Sequence, residues 1–388
     1  MQRVVIIGGG AVGSSVAYFL SQTPGAFDVT VLERDPRYAR ASSALSASSI
    51  RQQFSSPVNI GMSQAGIAFL RTLGSTLYVD DPAPDIGLTE PGYLYLASPA
   101  GSAALRENHA IQCAHGVEVA LLQPAELNAR FPWLRTGDLA LGALGLSGEG
   151  WFDGYGLMQA FRKKAAAQGA RYLRAEAAGL LRDGPAVRGV RLADGATLPC
   201  DAVVNAAGPW AARVATWAGI DLPVRARRRT VFSFSCPDAL PRCPLLIDPS
   251  GVWFRPDGDK FICGYAPDPG DDADDQPLEA QLDAFESHVW PLLAQRVPAF
   301  EAVRLRSAWA GYYEMNLFDQ NAILGVHPDC PNLYFANGFS GHGLQQSPAA
   351  GRGIAELLAH GAYRSLDLSP LSFQRILENR PLREKNII

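Results

Sequence analysis

The sequence predicts an α/β fold: a Rossmann-like domain assembled from three chain segments, carrying an antiparallel β-sheet lobe. Three observations predict it. A wholly apolar run, Val4–Ile7, empties into G-x-G-x-x-G at residues 8–13. Residues 224–318 are rich in β-branched and aromatic runs broken by turn signals. A further strand, glycine-rich loop and helix occupy residues 332–360.

The first element follows from Val4-Val5-Ile6-Ile7, apolar at every residue as a parallel strand buried on both faces requires. After Gly8-Gly9-Gly10-Ala11-Val12-Gly13, the residues Val12, Val16, Phe19 and Leu20 recur at helical spacing up to the turn Thr23-Pro24-Gly25. A second strand, Asp28 to Leu32, ends at Glu33. Gly8 permits the tight turn, Gly10 lets backbone approach a pyrophosphate, and Gly13 lets helix pack on strand. The helix start at Ala11 and Val12 offers free N–H groups and positive potential to phosphates. Glu33 is suited to accept hydrogen bonds from ribose hydroxyls. This unit serves NAD and FAD alike. An NAD domain continues with another crossover helix and strand. Here Glu33 is followed by Arg34-Asp35-Pro36-Arg37 and a small-residue stretch, Ala41 to Ser49, containing five serines and no clear period. It reads either as a loop laid against a large flat ligand or as a linker, with Ser42, Ser43 and Ser49 as candidate contacts.

Helices are expected from about Pro57 to Leu73 and from Tyr155 to Gln168, with a turn-rich crossing at Gly148–Gly154 between them and a small mixed α/β piece over 89–149. Strands are expected at Ala170–Ala177 and Val187–Leu192. The buried strand Ala202–Asn205 empties into Ala206-Ala207-Gly208-Pro209-Trp210. That small-residue loop is either a ligand approach at the sheet's carboxyl edge or a plain strand-to-helix turn. Arg227–Phe234, Val252–Arg255 and Lys260–Tyr265 read as antiparallel strands of the second lobe. Pro267–Pro277 carries Asp271, Asp272, Asp274 and Asp275; the spacing matches no EF-hand, and a solvated acidic loop is expected.

Asn332–Asn337 reads as a strand opening into Gly338-Phe339-Ser340-Gly341-His342-Gly343-Leu344-Gln345-Gln346. Ser347 is expected to cap a helix with Pro348 at its first position, ending near His360 before Gly361. N–H groups over Gly341–Gln345 would then suit negative charge, such as the N1–C2=O edge of a reduced flavin.

Bulk properties exclude several classes. A net charge of −4 lacks the basic footprint of nucleic-acid binding. No apolar run approaches the ~20 residues that span a bilayer. Met1-Gln2-Arg3 leads straight into the first strand, so no signal peptide or presequence is expected. Six cysteines without a C-x-x-C pair predict neither zinc site nor disulfide frame; a reducing cytosol is expected, with peripheral membrane contact left open.

GGGAVG, Glu33, VVNAAGPW and GFSGHG together resemble the D-amino-acid-oxidase-like flavoproteins, the group of sarcosine and glycine oxidases and dimethylglycine and D-amino-acid dehydrogenases. Within that group IRQQFSSPVNI, GYLYLAS, EGWFD, SAWAGYY, FDQN and GFSGHGLQQSP resemble the mitochondrial FAD-dependent oxidoreductase-domain subfamily linked to complex I assembly. The resemblance implies FAD as cofactor, an FAD domain over 1–88, 150–222 and 319–388, and a substrate lobe over 89–149 and 223–318. It implies cofactor contacts at Gly8, Gly10, Ala11, Val12, Gly13, Glu33, Arg34, Ser42, Ser43, Ser49, Ala177, Ala206, Ala207, Gly208, Trp210, Gly311, Gly338, Gly341, His342, Gly343, Leu344 and Gln345. His342 is alternatively a packing residue. No metal is implied.

The implied chemistry is hydride transfer from a carbon bonded to an amine onto flavin N5, giving an imine that hydrolyses. Arg51 sits where the resemblance places a carboxylate-gripping arginine; its other reading is a surface arginine. Gln345 replaces a lysine of that grip, and Arg255 is the candidate replacement charge or else a solvent-facing strand residue. Trp253, Tyr312 and Tyr313 shape the substrate side or pack the core. Gly311 stands where a flavin-linking cysteine would be, and no histidine precedes His109, so the FAD is expected to be non-covalent. A lysine that promotes oxygen reduction aligns near Ile262, with Lys260 one strand repeat away. The expected substrate is a small amine or amino acid, and the acceptor a quinone, an electron-transfer protein or oxygen. A non-catalytic flavoprotein and a 2-hydroxy-acid dehydrogenase are the competing readings.

Overall fold

A computed structural model of the chain describes residues 1–268 and 270–385. Pro269, inside the acidic segment, and residues 386–388, at the end of the third expected FAD-domain segment, lie outside the described residues.

The first strand, Gln2–Ile7, sits in the middle of a six-stranded sheet, because both of its faces are apolar and each must be covered. Its neighbours are Ala202–Asn205 on one side and Phe27–Glu33 on the other, both parallel, with Val4 opposite Ala202 and Val29. Arg171–Arg174 extends the sheet beyond Phe27–Glu33. Cys330–Asn337 lies parallel beyond Ala202–Asn205, and Ile323–His327 closes that edge antiparallel. The helix Ala11–Ser21 packs against Gly343–His360 and Gly154–Ala167 on one face. A separate three-stranded sheet, Ala177–Asp183, Ala186–Leu192 and Thr197–Pro199, stands outside it. The strand expected over Ala170–Ala177 is therefore two strands in two sheets, Arg171–Arg174 and Ala177–Asp183. The break follows where Ala175 N–H bonds back to the Glu33 carbonyl, at the end of its neighbour.

The second lobe is one eight-stranded sheet. Arg304–Asn316 pairs with Val224–Ser235, then come Lys260–Gly264, Trp253–Asp257 and Leu245–Ile247. Leu245–Ile247 pairs with Tyr93–Ala97 from the earlier segment, and Leu141–Gly145 and Val119–Leu122 complete the sheet. The expectation of a purely antiparallel lobe is corrected at one place: Leu245–Ile247 and Tyr93–Ala97 run parallel. A crossover from a distant chain segment can enter a sheet in either direction, unlike a hairpin.

The segment after Ile50 is held from below by Glu149. Its carboxylate accepts from Gln52 N–H at 2.6 Å, Gln53 N–H at 3.1 Å and the Gln53 side-chain amide at 2.8 Å. Burial pushes this carboxyl up to about 7, against those hydrogen bonds. The helix Gly154–Ala167 starts beside it, capped by Asp153, which accepts from Gly156 N–H at 2.9 Å.

The return helix departs from expectation. It begins at Gly343, not Ser347, and Pro348 lies inside it. Proline has no N–H for the Leu344 carbonyl. The Ser347 hydroxyl supplies the missing donor to that carbonyl at 2.9 Å, so the helix passes through the proline. Its end agrees with expectation: Gly361 has φ 68°. Among the described residues no helix is long and apolar enough to cross a membrane.

Candidate active site

Two connected chambers open along the carboxyl ends of the parallel strands. Each is a half-open cleft, with about 1030 Å³ and 1060 Å³ of free space reaching out into solvent. They share Ala11, Val12, Ser42, Ser43 and Glu314 as common walls. An elongated ligand with two unlike halves fits such a pair better than a compact one does.

The first chamber is lined by Gly8, Gly10, Ala11, Val12, Glu33, Arg34, Ala177, Ala206, Ala207, Gly208 and Trp210, all expected from the sequence. Gly13 lies just behind the wall: a Cβ there would fall 1.9 Å from the Gly8 carbonyl oxygen. Gly10 is different. A Cβ at that position would have Ser43 Oγ as its nearest neighbour at 3.4 Å, an ordinary contact. No protein atom therefore demands a glycine at position 10, and the space beside it is open. The first turn of Ala11–Ser21 faces that space, and Ala11 N–H donates to Ser43 Oγ at 3.0 Å. At the far end Glu33 Oε2 accepts Gly9 N–H at 3.0 Å and Oε1 accepts Asp35 N–H at 2.8 Å. Each oxygen keeps a lone pair for a hydroxyl in the chamber. Arg34 stacks 3.9 Å over the Trp210 ring, and Arg40 and Arg213 add positive charge to the same wall.

The second chamber brings the serine-rich stretch against the eight-stranded sheet. Ser42 Oγ donates to the Tyr312 carbonyl at 2.7 Å, and the Trp309 ring donates to the Leu45 carbonyl at 3.0 Å. The stretch is not wholly irregular, since Ser42–Leu45 forms one helical turn. Ser42, Ser43, Ser49, Gly311, Tyr312, Tyr313, Trp253, Gly341, Gly343 and Leu344 all line this chamber. Gly341 has φ 98°, and a Cβ there would meet the Tyr313 ring at 2.5 Å. Because the return helix starts at Gly343, the N–H groups of Gly343, Leu344 and Gln345 have no partner within it.

Several expected residues lie behind these walls. Gly338, His342 and Gln345 are absent from the linings of both chambers. Arg51 is also behind the wall and 4% exposed. Its Nη2 meets His342 Nε2 at 2.9 Å, and its guanidinium sits 4.6 Å over the Phe54 ring. Burial, then the Arg51 charge, holds His342 well below the usual imidazole range, so the ring is neutral and accepts from Arg51. Gln345 Oε1 accepts the Arg51 backbone N–H at 2.7 Å. The surface-arginine reading of Arg51 is thereby corrected. Arg255 is 6% exposed, which corrects its solvent-facing reading. It donates to the carbonyls of Pro256 and Ala47 at 2.7 and 2.8 Å and to Asp257 at 2.9 Å, tying the serine-rich stretch to the sheet. Lys260 is exposed and outside both chambers.

Two residues that the sequence pattern does not single out are at the centre. Glu314 lines both chambers and accepts Gly338 N–H at 3.2 Å. Burial pushes its carboxyl up to about 8. Its only sequence signal is a lone acid inside the apolar strand run AWAGYYEM. Arg229 lines the second chamber, 5.2 Å over the Tyr313 ring. The acidic segment is largely solvated, as expected, with Asp271, Asp274 and Asp275 exposed, but it also folds onto the sheet: Arg229 makes a two-pronged pair with the half-buried Asp272 at 2.6 and 2.9 Å, and Arg227 pairs with Asp274 at 2.8 Å. Alternation at Arg225, Arg227 and Arg229 is visible as a period-two pattern, but the partner is not.

The family described as FAD dependent oxidoreductase (DAO) matches residues 3–357. This chain belongs to that family. FAD is the family's cofactor, and the residues present fit it: an open glycine at the helix start, an acid at the end of the second strand, and a second chamber for the ring. The chain is 42% identical to FAD-dependent oxidoreductase domain-containing protein 1 of Xenopus laevis, over 99% of this chain and 84% of that protein. Its fold is that of L-proline dehydrogenase from P. horikoshii, with a TM-score of 0.87, 24% identity and coverage of 98% and 99%. Glycine oxidase from Geobacillus kaustophilus superposes with a TM-score of 0.83, 24% identity and coverage of 97% and 99%.

Proposed function

We propose that this FAD-dependent oxidoreductase is a dehydrogenase that oxidises the C–N bond of a small amino acid or secondary amine. The observation that carries the reading is the second chamber: it continues the cofactor chamber through Glu314, is walled by Trp253, Tyr265 and Tyr313, and has one guanidinium, Arg229, facing in. Aromatic walls exclude water from a small apolar substrate, and a guanidinium recognises a carboxylate. When bound, FAD supplies the hydride acceptor, and water hydrolyses the imine product. In this reading 1–88, 150–222 and the third segment from 319 hold the cofactor, and 89–149 and 223–318 supply the substrate side.

The protein's own groups then do three things. First-turn N–H groups of Ala11–Ser21 and the Glu33 carboxylate bind the dinucleotide half. Gly343, Leu344 and Gln345 N–H groups offer positive potential to the ring's reduced, anionic edge. Trp253 and Tyr313 orient the amine. The side chains facing the chambers include neither cysteine, histidine nor lysine among the described residues. That supports dissociable FAD and slow reaction with oxygen.

A non-catalytic flavoprotein is the second reading, and one observation favours it: Arg51, Arg229 and Arg255 all already hold protein partners. The test is the anaerobic visible spectrum of the purified protein, with N-methyl amino acids, D-amino acids, imino acids and 2-hydroxy acids added separately. Bleaching by an amine pool is the expected result. Bleaching by 2-hydroxy acids alone, or by none, overturns it.

A further inference from the structure

Arg229 is 11% exposed in its side chain and faces the second chamber beside Tyr313. Its two terminal nitrogens hold both oxygens of Asp272 at 2.6 and 2.9 Å. This is the fork-to-fork geometry in which a guanidinium binds any carboxylate. Its Nε is buried with no hydrogen-bond partner, so the fork retains a spare donor. Asp272 belongs to the segment that leaves the chamber wall at Tyr265 and Ala266.

That segment is firmly fixed at its far end. Tyr312 donates to the Gln276 carbonyl at 2.7 Å, Arg228 donates to the Pro277 carbonyl at 3.3 Å, and Asp275 N–H bonds the Ala226 carbonyl at 3.0 Å. Asp272 itself is tied by its side chain and by one backbone bond to Asp268, at 3.1 Å. A second arginine lies alongside: Arg227 holds Asp274 through Nε at 2.8 Å, and its Nη1 is 3.8 Å from Asp272 Oδ2. A rotation of Asp272 toward Arg227 would keep its carboxylate beside a guanidinium while an incoming carboxylate took its place on Arg229. Stranding a buried charge is the expensive alternative.

We infer that Arg229 is the anchor for a substrate carboxylate, and that Asp272 is an internal stand-in which the substrate displaces and hands to Arg227. The inference rests on the amine-oxidation reading and narrows its substrates to carboxylate-bearing amines. Neutral amines cannot displace Asp272, so the acidic segment selects by charge as well as by fit. The stand-in also lowers apparent affinity in proportion to the time it occupies Arg229. An occupancy of about nine-tenths raises the apparent dissociation constant roughly tenfold.

The test uses the FAD-loaded protein and acetate as a minimal carboxylate, with acetamide as its neutral counterpart, read by calorimetry. Asp272→Asn is expected to tighten acetate about tenfold and leave acetamide unchanged. Arg229→Gln is expected to weaken acetate at least tenfold, through loss of the charge-assisted pair. Arg227→Gln, which leaves both chambers' walls intact, is expected to weaken acetate roughly threefold, because Asp272 loses its second partner. Acetate affinity unmoved by Asp272→Asn or Arg229→Gln overturns the inference, as does a parallel change in acetamide. Calorimetry does not depend on turnover. A flavin that no amine reduces, with the acetate pattern intact, removes the catalytic reading and leaves the anchor; a flavin that amines reduce, with acetate indifferent to both variants, does the reverse.

Discussion

The two chambers are built by different means. The first chamber is lined at the strand ends by backbone and small residues, Gly8, Gly10, Ala11, Ala177, Ala206, Ala207 and Gly208, with Glu33, Arg34 and Trp210 at its far end. The second chamber is walled by Arg229, Trp253, Tyr265 and Tyr313, side chains projected from the eight-stranded sheet. A ligand held by backbone is sensitive to how close the chain can come. A ligand held by side chains is sensitive to what those side chains are already bonded to. Damage should therefore be steric in the first chamber and electrostatic in the second.

The largest expected effect tests the steric half. Gly10→Ala puts a methyl at an ordinary 3.4 Å from Ser43 Oγ but into the space for the cofactor. We expect normal melting of the stripped protein and FAD binding weaker by about a hundredfold, or ~2.8 kcal/mol, measured as flavin retained on dialysis. If FAD binding is unchanged, the first chamber does not hold phosphates at Gly10.

The buried charge behind the second chamber's wall is tested next by His342→Leu. Arg51 Nη2 loses its ring acceptor while remaining buried. A loss of roughly 2–3 kcal/mol in urea unfolding is expected. A change under ~0.5 kcal/mol would mean that the Arg51–His342 pair is incidental to the wall.

Glu314, common to both chambers, sharpens the boundary between them. Its carboxyl has an ordinary value of 4.5 and stands at about 8 in the folded chain. The folded chain keeps that proton across the interval where the unfolded chain has lost it. The associated stability is complete below about pH 4.5 and lost as pH rises through about 8. Melting temperature should fall over this interval, and Glu314→Gln should flatten the fall. An identical pH profile in the variant would show that Glu314 does not titrate there.

The smallest effect concerns the helix that closes the second chamber. Ser347→Ala removes the only side-chain donor to the Leu344 carbonyl among the described residues, and ~1 kcal/mol of stability should go with it. No loss would mean that water reaches that carbonyl.

The contrast also explains what can be read in the sequence. Gly8, Gly10, Gly13 and Glu33 are legible because backbone geometry forces particular residue types at fixed spacing. The return loop is legible for the same reason, except for its helix start. Ser347-Pro348 is a strong local signal for a first turn, but the same serine can instead donate its hydroxyl three residues back to the Leu344 carbonyl, and the sequence does not choose between these two uses. Arg51 and Arg255 carry no local mark of their partners, His342 and Ala47, which lie far away in the chain. The acidic segment is hard to read for that reason too. Composition alone describes all four aspartates as solvated, while the alternating arginines that pair with two of them, Asp272 and Asp274, sit on a strand several elements earlier.

The parallel pairing of Tyr93–Ala97 with Leu245–Ile247 bears on how the chain reaches this structure. During synthesis, Tyr93–Ala97, Val119–Leu122 and Leu141–Gly145 emerge long before Leu245–Ile247, and Tyr93–Ala97 must wait with one hydrogen-bonding edge bare. Non-local strand closure of this kind is slow, and a waiting edge invites pairing with another chain. Neither 89–149 nor 224–316 can be excised as a self-sufficient unit, because each holds only part of the sheet. The polypeptide must therefore be complete through Ile247 before Tyr93–Ala97 has its parallel partner, which makes assembly of that lobe a late event.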